Sequence, residues 1–338
     1  MNKLIIILVT ACAFAQAPYK LLKTEKVGGP GGFDYVFADS VGRRLYIPRS
    51  GTPARINVFN LDTLAPVGEI PNVSARGAAV DPKSHHGFAS SKPVVMWDTN
   101  TLKVIKTIDV EGNPDGILFD AFNQRVYILS HRAPNATVIN SVDGTVVGTI
   151  DLEGAPEQMV TDGKGHLWVD IEDKANVAAV DAKTMKVTAH YPLGDKNGTP
   201  AGLAFDPKTR VLFVACRQPA PGVMVMMNAD TGKVITTLPL DGSSDGAVFN
   251  AKTKEAFSSA GNGTLTIIKE SAADKFTVEQ TVKTMTGAKT LTLDDKTGHV
   301  LLIAAEYAAP TTPPQPGARG GGRGPMVPDS FSILVVGK

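Results

Sequence analysis

A degenerate hairpin pattern recurs along the chain at intervals of 39 to 44 residues. Its clearest copy is AGLAFDPKTRVLFVAC (residues 201–216), in which two apolar runs flank a polar turn beginning at Asp206. Six further copies align on an equivalent turn residue. These residues are Asp39, Asp81, Asp120, Asp162, Asn250 and Asp294. A near-constant period of this length indicates a repeat architecture, so the fold must accommodate seven similar units.

Each unit continues after its hairpin with a third apolar run and a fourth, more polar one. Examples of the third run are VVMWD (94–98) and ATVIN (136–140), and an example of the fourth is LKVIKTIDV (102–110). Apolar inner strands with a polar outer strand are expected where sheets stack face to face and only the rim meets water. The pattern therefore predicts an all-β fold, a seven-bladed β-propeller of four-stranded antiparallel blades.

The two ends of the chain complement each other. The last unit ends after three strands with SILVVG (332–337), whereas LLKTEKV (21–27) precedes the first unit and matches the fourth-strand pattern. We therefore expect residues 20–27 to pair with the C-terminal strand, which closes the ring and covers an exposed sheet edge.

Composition and the N-terminus restrict the functional classes. The 338 residues carry a formal net charge of +1, without the basic excess of a nucleic-acid-binding protein. Residues 1–15 combine Lys3, a short apolar run and a small-x-small site at Ala13-Phe14-Ala15, which is typical of a secretory signal peptide. The run is shorter than the roughly 20 residues of a membrane span. We expect a periplasmic or secreted, monomeric protein in which residues 16–338 form one propeller domain without a transmembrane segment.

The chain contains two cysteines, Cys12 and Cys216. A loose lipoprotein box at Val9-Thr10-Ala11-Cys12 leaves open a lipid anchor in place of cleavage after Ala15. Once the leader is removed Cys216 is alone, which excludes a disulfide and a cysteine-based metal site. Because Cys216 ends an apolar strand, we expect a buried thiol and not a nucleophile.

The repeats resemble those of the YVTN-repeat, or YncE-like, seven-bladed propellers. The Gly-x-Pro that precedes the first strand in that family is present at residues 112–114, 154–156 and 198–200. Its Tyr-Val-Thr-Asn strand is matched imperfectly by YILSH (127–131) and LFVAC (212–216). The resemblance covers nearly the whole mature chain and implies the architecture. It implies no particular activity, because propellers carry many unrelated functions.

One face of the predicted ring gathers charged side chains. The first strand of each blade lines the central channel, and the residues five positions before the turn anchors share one channel mouth. They are Asp34, Arg76, Asp115, Glu157, Ala201, Asp245 and Lys289. The loops between second and third strands add further residues to this face. They are Arg49, His131, Arg132, Glu172, Arg217 and Glu306. Such a surface could bind a metal ion, an ammonium group or a polyol.

The same charges could also pair with one another without binding a ligand. Asp115, Glu157 and Asp245 are the strongest individual candidates, followed by His131, which can act as a base or metal ligand near neutral pH. If a divalent cation binds, these four residues are its expected ligands, and the sequence shows no other cofactor site. The turn anchors are assigned a structural role, because Asp accepts a hydrogen bond from the backbone two residues on.

Two further segments need interpretation. Residues 242–246 satisfy G-x-S-x-G, but they connect an outer to an inner strand, not a strand to a helix, so Ser244 is not expected to be a nucleophile. The Pro/Gly-rich loop 308–329 is predicted to be mobile and to emerge at the channel mouth. It is either a functionless insertion, the interpretation favoured, or a lid bringing Arg319 and Arg323 to an anionic ligand.

The sequence thus favours an exported binding scaffold for a small molecule or a protein partner, with no catalytic activity assigned. The alternative is a metal-dependent propeller hydrolase, lactonase or lyase that uses the carboxylates of the channel mouth. Arg76 and Lys289 oppose that alternative, because both would repel a cation.

Deleting residues 16–27 should lower the melting temperature sharply, because the last blade would lose its fourth strand. Thermal unfolding followed by circular dichroism measures this, with a chain that lacks only residues 1–15 as the control. An unchanged melting temperature would contradict closure by the N-terminal strand.

Overall fold

The computed structural model describes residues 18–195, 197–310 and 324–338. Within these ranges the chain forms seven four-stranded antiparallel sheets, which confirms the seven-bladed propeller. The predicted signal peptide at residues 1–15 lies outside the described residues, as do Arg319 and Arg323 of the predicted loop.

Blades 1 to 6 each consist of four strands that are consecutive in the sequence. Blade 1 contains β2 (Phe37–Asp39), β3 (Arg44–Arg49), β4 (Arg55–Asn60) and β5 (Pro66–Pro71). Blade 2 contains β6 (Ala75–Asp81), β7 (His86–Ser91), β8 (Val94–Asp98) and β9 (Val104–Ile108). Blade 3 contains β10 (Pro114–Asp120), β11 (Arg125–Ser130), β12 (Ala136–Asn140) and β13 (Val146–Ile150).

The second half of the ring repeats this arrangement. Blade 4 contains β14 (Pro156–Thr161), β15 (His166–Ile171), β16 (Asn176–Asp181) and β17 (Lys186–Pro192). Blade 5 contains β18 (Gly198–Asp206), β19 (Val211–Gln218), β20 (Val223–Asn228) and β21 (Val234–Pro239). Blade 6 contains β22 (Ser244–Asn250), β23 (Glu255–Ala260), β24 (Thr264–Ala272) and β25 (Lys275–Lys283). Blade 7 combines β26 (Leu291–Leu293), β27 (Val300–Ala304) and β28 (Ser332–Gly337) with β1 (Lys20–Lys26).

Helix is almost absent from the described chain, which contains one 3-10 turn at Glu172–Lys174. No helix in the described ranges has the length and apolar character needed to cross a bilayer.

The hairpin turns are built as the repeat pattern predicts. Each of the seven turn anchors accepts a hydrogen bond from the backbone N–H two residues on, at distances between 2.7 and 3.3 Å. In blade 5, for example, the carboxylate of Asp206 accepts from the N–H of Lys208 at 2.7 Å. These six carboxylates and the amide of Asn250 therefore fix the turns between first and second strands.

The hydrophobic core lies between neighbouring sheets. Each of seven buried clusters in the described chain joins the facing surfaces of two adjacent blades. Between blades 3 and 4, Leu129 and Val138 pack with Leu167 and Val169. Outer strands such as β5 are mostly exposed, whereas β4 beside it is mostly buried. The observed gradient follows from sheets that stack face to face around an axis.

The N-terminal strand closes the ring, as the sequence predicts. β1 pairs antiparallel with β28, from Lys20 opposite Gly337 to Lys26 opposite Ser332. It is the outermost strand of blade 7, whose other three strands come from the C-terminal end of the chain.

Tyr19 and Lys338, which flank the paired strands β1 and β28, are also fastened to blade 6 through Glu255, which is fully buried in β23. The hydroxyl of Tyr19 donates to Oε2 of Glu255 at 2.5 Å, and Nζ of Lys338 lies 2.8 Å from Oε1. Burial alone would raise the pKa of Glu255, but hydrogen bonds, led by that from Lys338, hold it below its ordinary value. The backbone of Tyr19 also exchanges two hydrogen bonds with the Gln280 amide, at 2.9 and 2.7 Å.

Glu255→Ala should reduce the free energy of unfolding by about 3 kcal/mol, because it leaves the partly buried ammonium of Lys338 and the buried phenol of Tyr19 without their acceptor. Denaturant unfolding measures the loss. Asp274→Asn, which removes an exposed carboxylate from the turn between β24 and β25, is the control and should change stability little. Equal stability of the Glu255→Ala protein and the native protein would contradict the role of Glu255.

Candidate ligand site at the channel mouth

The mouth positions lie where the inner strands depart from regular pairing. In blades 2 to 6 the strand register shifts across the residues Arg76, Asp115, Glu157, Ala201 and Asp245. A β-bulge leaves its extra residue outside the ladder and changes the direction of its side chain. In blades 1 and 7, Asp34 and Lys289 precede the short inner strands β2 and β26.

Glycines next to these positions let the inner strands approach closely. A Cβ atom on Gly116 would lie 2.4 Å from the carbonyl oxygen of Glu157, and one on Gly202 would lie 2.7 Å from the backbone of Gly246. Only glycine fits such an approach. The close approach brings charged side chains from different blades within reach of one another.

The mouth residues form one chain of nitrogen–oxygen contacts, six ion pairs and two contacts of His131, that passes through all seven blades. Each consecutive pair has side-chain nitrogen and oxygen atoms within 4.0 Å. The order is Glu172, Arg217, Asp245, Lys289, Asp34, Arg76, Asp115, His131 and Glu157. Because Glu172 and Glu157 both belong to blade 4, the chain makes a full circuit of the channel. The structure thus brings nine of the predicted site residues together.

One part of this circuit, the compensated arc, has a permanent cation between its carboxylates. Arg76 Nη1 lies 2.8 Å from Asp34, and Lys289 contacts both Asp34 and Asp245. Burial alone would lower the pKa of Lys289, but the charges of Asp245 and Asp34 outweigh it and raise that pKa. The residues of the compensated arc are Asp34, Arg76, Asp245, Lys289, Arg217 and Glu172.

The other part, the cation-poor arc, consists of Asp115, His131 and Glu157. Nε2 of His131 lies 3.6 Å from an oxygen of Asp115 and 3.6 Å from an oxygen of Glu157. The nearest permanent cation is Arg76, whose Nε lies 3.7 Å from Asp115. Among the residues that the structure describes, no Lys or Arg forms an ion pair with Glu157. The carboxyl groups on this side therefore have the fewest permanent cations beside them.

Burial and neighbouring charges raise the pKa values of the carboxyl groups in and behind this arc. Burial, followed by the charges of Asp170 and Asp115, raises the pKa of Glu157 to about 9. Burial raises the pKa of Asp115 as well. Asp170 of β15 is fully buried, and burial raises its pKa to about 7, although its Oδ1 accepts from the backbone N–H of Gln158 at 2.5 Å.

Two polar side chains bridge between blades near the cation-poor arc. Tyr35 of blade 1 reaches Glu157 of blade 4, with its hydroxyl 3.2 Å from Oε2 and 3.4 Å from the carbonyl oxygen. Oε1 of Gln158 accepts hydrogen bonds from the backbone N–H groups of Leu203 at 2.9 Å and Ala247 at 3.4 Å. Below them a cavity of about 660 Å³, lined by inner strands of all seven blades, follows the channel.

A second cavity opens beside the compensated arc. It measures about 420 Å³ and lies where blades 1, 2 and 3 meet at the mouth. Its polar lining residues are Asp34, Ser50, Ser74, Arg76, Ser90, Ser91, Lys92 and Asn113. The cavity has the size of a small-molecule pocket and many hydroxyl and amide groups.

Three predicted site residues lie outside the circuit of contacts. Arg49 is fully buried, and its guanidinium donates to the carbonyl oxygens of Gly29 and Gly31 at 2.9 Å each. Arg49 therefore holds the loop of Gly29 and Gly31 in place and is not accessible to a ligand. Burial lowers its pKa to about 10. Glu306 and Arg132 are exposed and form no ion pair within the described residues.

The two potential nucleophiles are placed as expected. Cys216 is buried, and burial raises the pKa of its thiol to about 12. Ser244 is buried too, and its Oγ lies 2.7 Å from Oγ of Ser258. Neither side chain is available to attack a bound substrate.

Tyr35, Gln158 and Asp170 belong to the site but were not found from the sequence. Tyr35 and Gln158 directly follow Asp34 and Glu157 in the sequence. A polar residue next to a predicted mouth residue could therefore have identified both. Asp170 interrupts the apolar run LWVDI, and a charged residue inside a buried strand was the signal there.

Comparison with known proteins supports the architecture. No family model matches the chain, and no curated protein matches its sequence. Hydrazine synthase of Kuenenia stuttgartiensis contains a chain with a TM-score of 0.69 and 17% identity, covering 81% of this chain and 92% of that one. A chain of the mitotic checkpoint complex has a TM-score of 0.72 and 11% identity, covering 89% and 96%. U3-55K has a TM-score of 0.72 and 9% identity, covering 94% and 98%. At these identities the similarity shows the fold alone.

Glu157→Gln should alter the pH dependence of stability. The pKa of this carboxyl is raised from its ordinary value of 4.5 to about 9 in the folded protein, so the free energy of unfolding falls as pH rises through that window. We expect the variant to melt above the native protein at pH 8 in the presence of a chelator, and the two to converge near pH 5. Glu306→Gln should follow the native curve. Parallel curves for Glu157→Gln and the native protein would contradict the shift.

Proposed function

We propose that this protein is an exported, monomeric binding protein that holds a small polar molecule at the channel mouth and does not transform it. The observation that carries the proposal is the circuit of nitrogen–oxygen contacts through all seven blades. Rigid strands hold these side chains in place before a ligand arrives, which reduces the cost of ordering a binding site.

The shape of the mouth supports a small molecule over a protein partner. The cavity of about 420 Å³ is concave and lined by serine hydroxyls, an asparagine and the charged groups of Asp34, Arg76 and Lys92. These groups offer hydrogen bonds to a polyol or a sugar-like ligand. The side chain of Arg76 is 51% exposed, so one face of its guanidinium is open to such a ligand.

The chemistry of the described residues favours binding over catalysis. The thiol of Cys216 and the hydroxyl of Ser244 are buried. Asp245, one of four expected ligands in the metal-dependent alternative, contacts Lys289 and Arg217 instead.

Export and family membership complete the proposal. Residues 1–15 have the pattern of a cleaved leader, and the Gly-x-Pro and YVTN-like segments resemble the YncE-like propellers. A closed ring that buries its sheet faces internally is consistent with a monomer.

A thermal-shift screen with sugars, polyols, lactones and polyamines tests the proposal, followed by calorimetry on the compounds that raise the melting temperature. We expect Arg76→Gln to weaken binding at least about tenfold, because it removes the open charged group of the pocket. Arg210→Gln is the matched control: Arg210 also contacts two carboxylates, Asp162 and Asp230, but at the opposite end of the blades.

Retention of full affinity in Arg76→Gln, or an equal loss in Arg210→Gln, would contradict a ligand site at this mouth.

A further inference from the structure

The cation-poor arc has the geometry of an incomplete coordination shell. Its two measured nitrogen–oxygen distances, each 3.6 Å, exceed hydrogen-bond length. One potential ligand atom from each of Asp115, His131 and Glu157 lies within 4.8 Å of the others. Two ligands of a tetrahedral ion with bonds of about 2.1 Å are separated by roughly 3.4 Å. The two nitrogen–oxygen separations of 3.6 Å are close to that edge.

One donor atom of the arc lacks the partner that a buried polar group normally has. Nε2 of His131 is buried and has no hydrogen-bond partner within the described chain. The Asp115 side chain is only 10% exposed, and its recorded contacts are the two long ion pairs with Arg76 and His131. Buried polar groups are usually satisfied, so an unpartnered imidazole nitrogen between two carboxyl groups that it does not hydrogen-bond indicates a missing partner.

The surrounding charge favours a cation as that partner. Arg76 makes its closer contact with Asp34, at 2.8 Å, and lies 3.7 Å from Asp115. Lys289 and Arg217 contact Asp245 on the other side of the circuit. Behind Glu157, the Oδ2 atom of the buried Asp170 also lacks a hydrogen-bond partner in the described chain. A bound cation would take the place of the protons on these carboxyl groups and would offset their negative charge.

We propose that Asp115, His131 and Glu157 bind one divalent transition-metal ion, for which Zn²⁺ is the representative. One imidazole nitrogen and two carboxylate oxygens suit Zn²⁺ and its neighbours, whereas Ca²⁺ and Mg²⁺ prefer oxygen ligands alone. Three protein ligands leave a position of a tetrahedral ion for water or an electron-donating group of a ligand. The inference deepens the proposed function, on which it rests for the role of the mouth.

Isothermal titration calorimetry with ZnCl₂ tests this site in the full-length mature protein, prepared without an affinity tag and stripped with a chelator. We expect one Zn²⁺ per chain. His131→Ala and Glu157→Gln should each weaken binding at least about tenfold. His190→Ala and Glu306→Gln are matched controls and should bind like the native protein. His190 also lies beside a carboxylate, with Nε2 3.5 Å from Glu153, but outside the arc.

Circular dichroism and metal-free melting curves establish that each variant is folded, and His131→Gln replaces His131→Ala if the latter is not. Zn²⁺ should raise the melting temperature of the native protein and of His190→Ala, but not that of the His131 variant. Equimolar Mg²⁺ should not displace the bound Zn²⁺.

Failure of the native protein to bind stoichiometric Zn²⁺ would overturn the metal site, as would native affinity in both His131→Ala and Glu157→Gln. Equal losses in the control variants, or displacement by equimolar Mg²⁺, would also overturn it. Organic ligands that still bind through Arg76 would then leave the proposed binding function intact, so the two failures are distinguishable.

Discussion

Face-to-face burial between neighbouring sheets is the constraint on which the rest of this structure depends. Every blade buries apolar side chains against the blade before it and the blade after it. Such an arrangement has no exposed apolar face only if the seventh sheet lies between the sixth and the first. The chain secures that sheet with the N-terminal strand β1 and with the buried carboxylate of Glu255, which holds Tyr19 and Lys338 against blade 6.

Ring closure also determines which side chains meet at the channel mouth. Because the ring brings seven inner strands around one axis, charged groups that are about 40 residues apart in sequence become neighbours in space. Their charges are distributed unevenly. Arg76, Lys289 and Arg217 lie between the carboxylates of one arc, whereas His131 alone lies between Asp115 and Glu157 in the other. The difference gives the mouth a polar pocket on one side and an electron-rich cluster on the other.

The architecture could be predicted from the sequence because repeated local patterns determine it. The turn anchors, the apolar gradient across each unit and the unpaired strand at residues 20–27 together specify the ring, and counting back from the anchors located the mouth residues. Contacts across the axis carry no such signal. The reach of Tyr35 to Glu157 spans 122 positions, and the inward direction of Arg49 depends on the loop of Gly29 and Gly31 above it. The register shifts depend on pairing geometry that residue types alone do not specify.

Those register shifts have a consequence for how such a protein can change. A residue held outside the ladder contributes little to strand pairing, so its identity is set by the channel more than by the fold. Blade 5 illustrates this freedom, since Ala201 occupies there the place taken by an acid or a base in the other six blades. Ligand specificity can therefore evolve one blade at a time, because a single mouth side chain can be exchanged while the strand pairing around it stays the same.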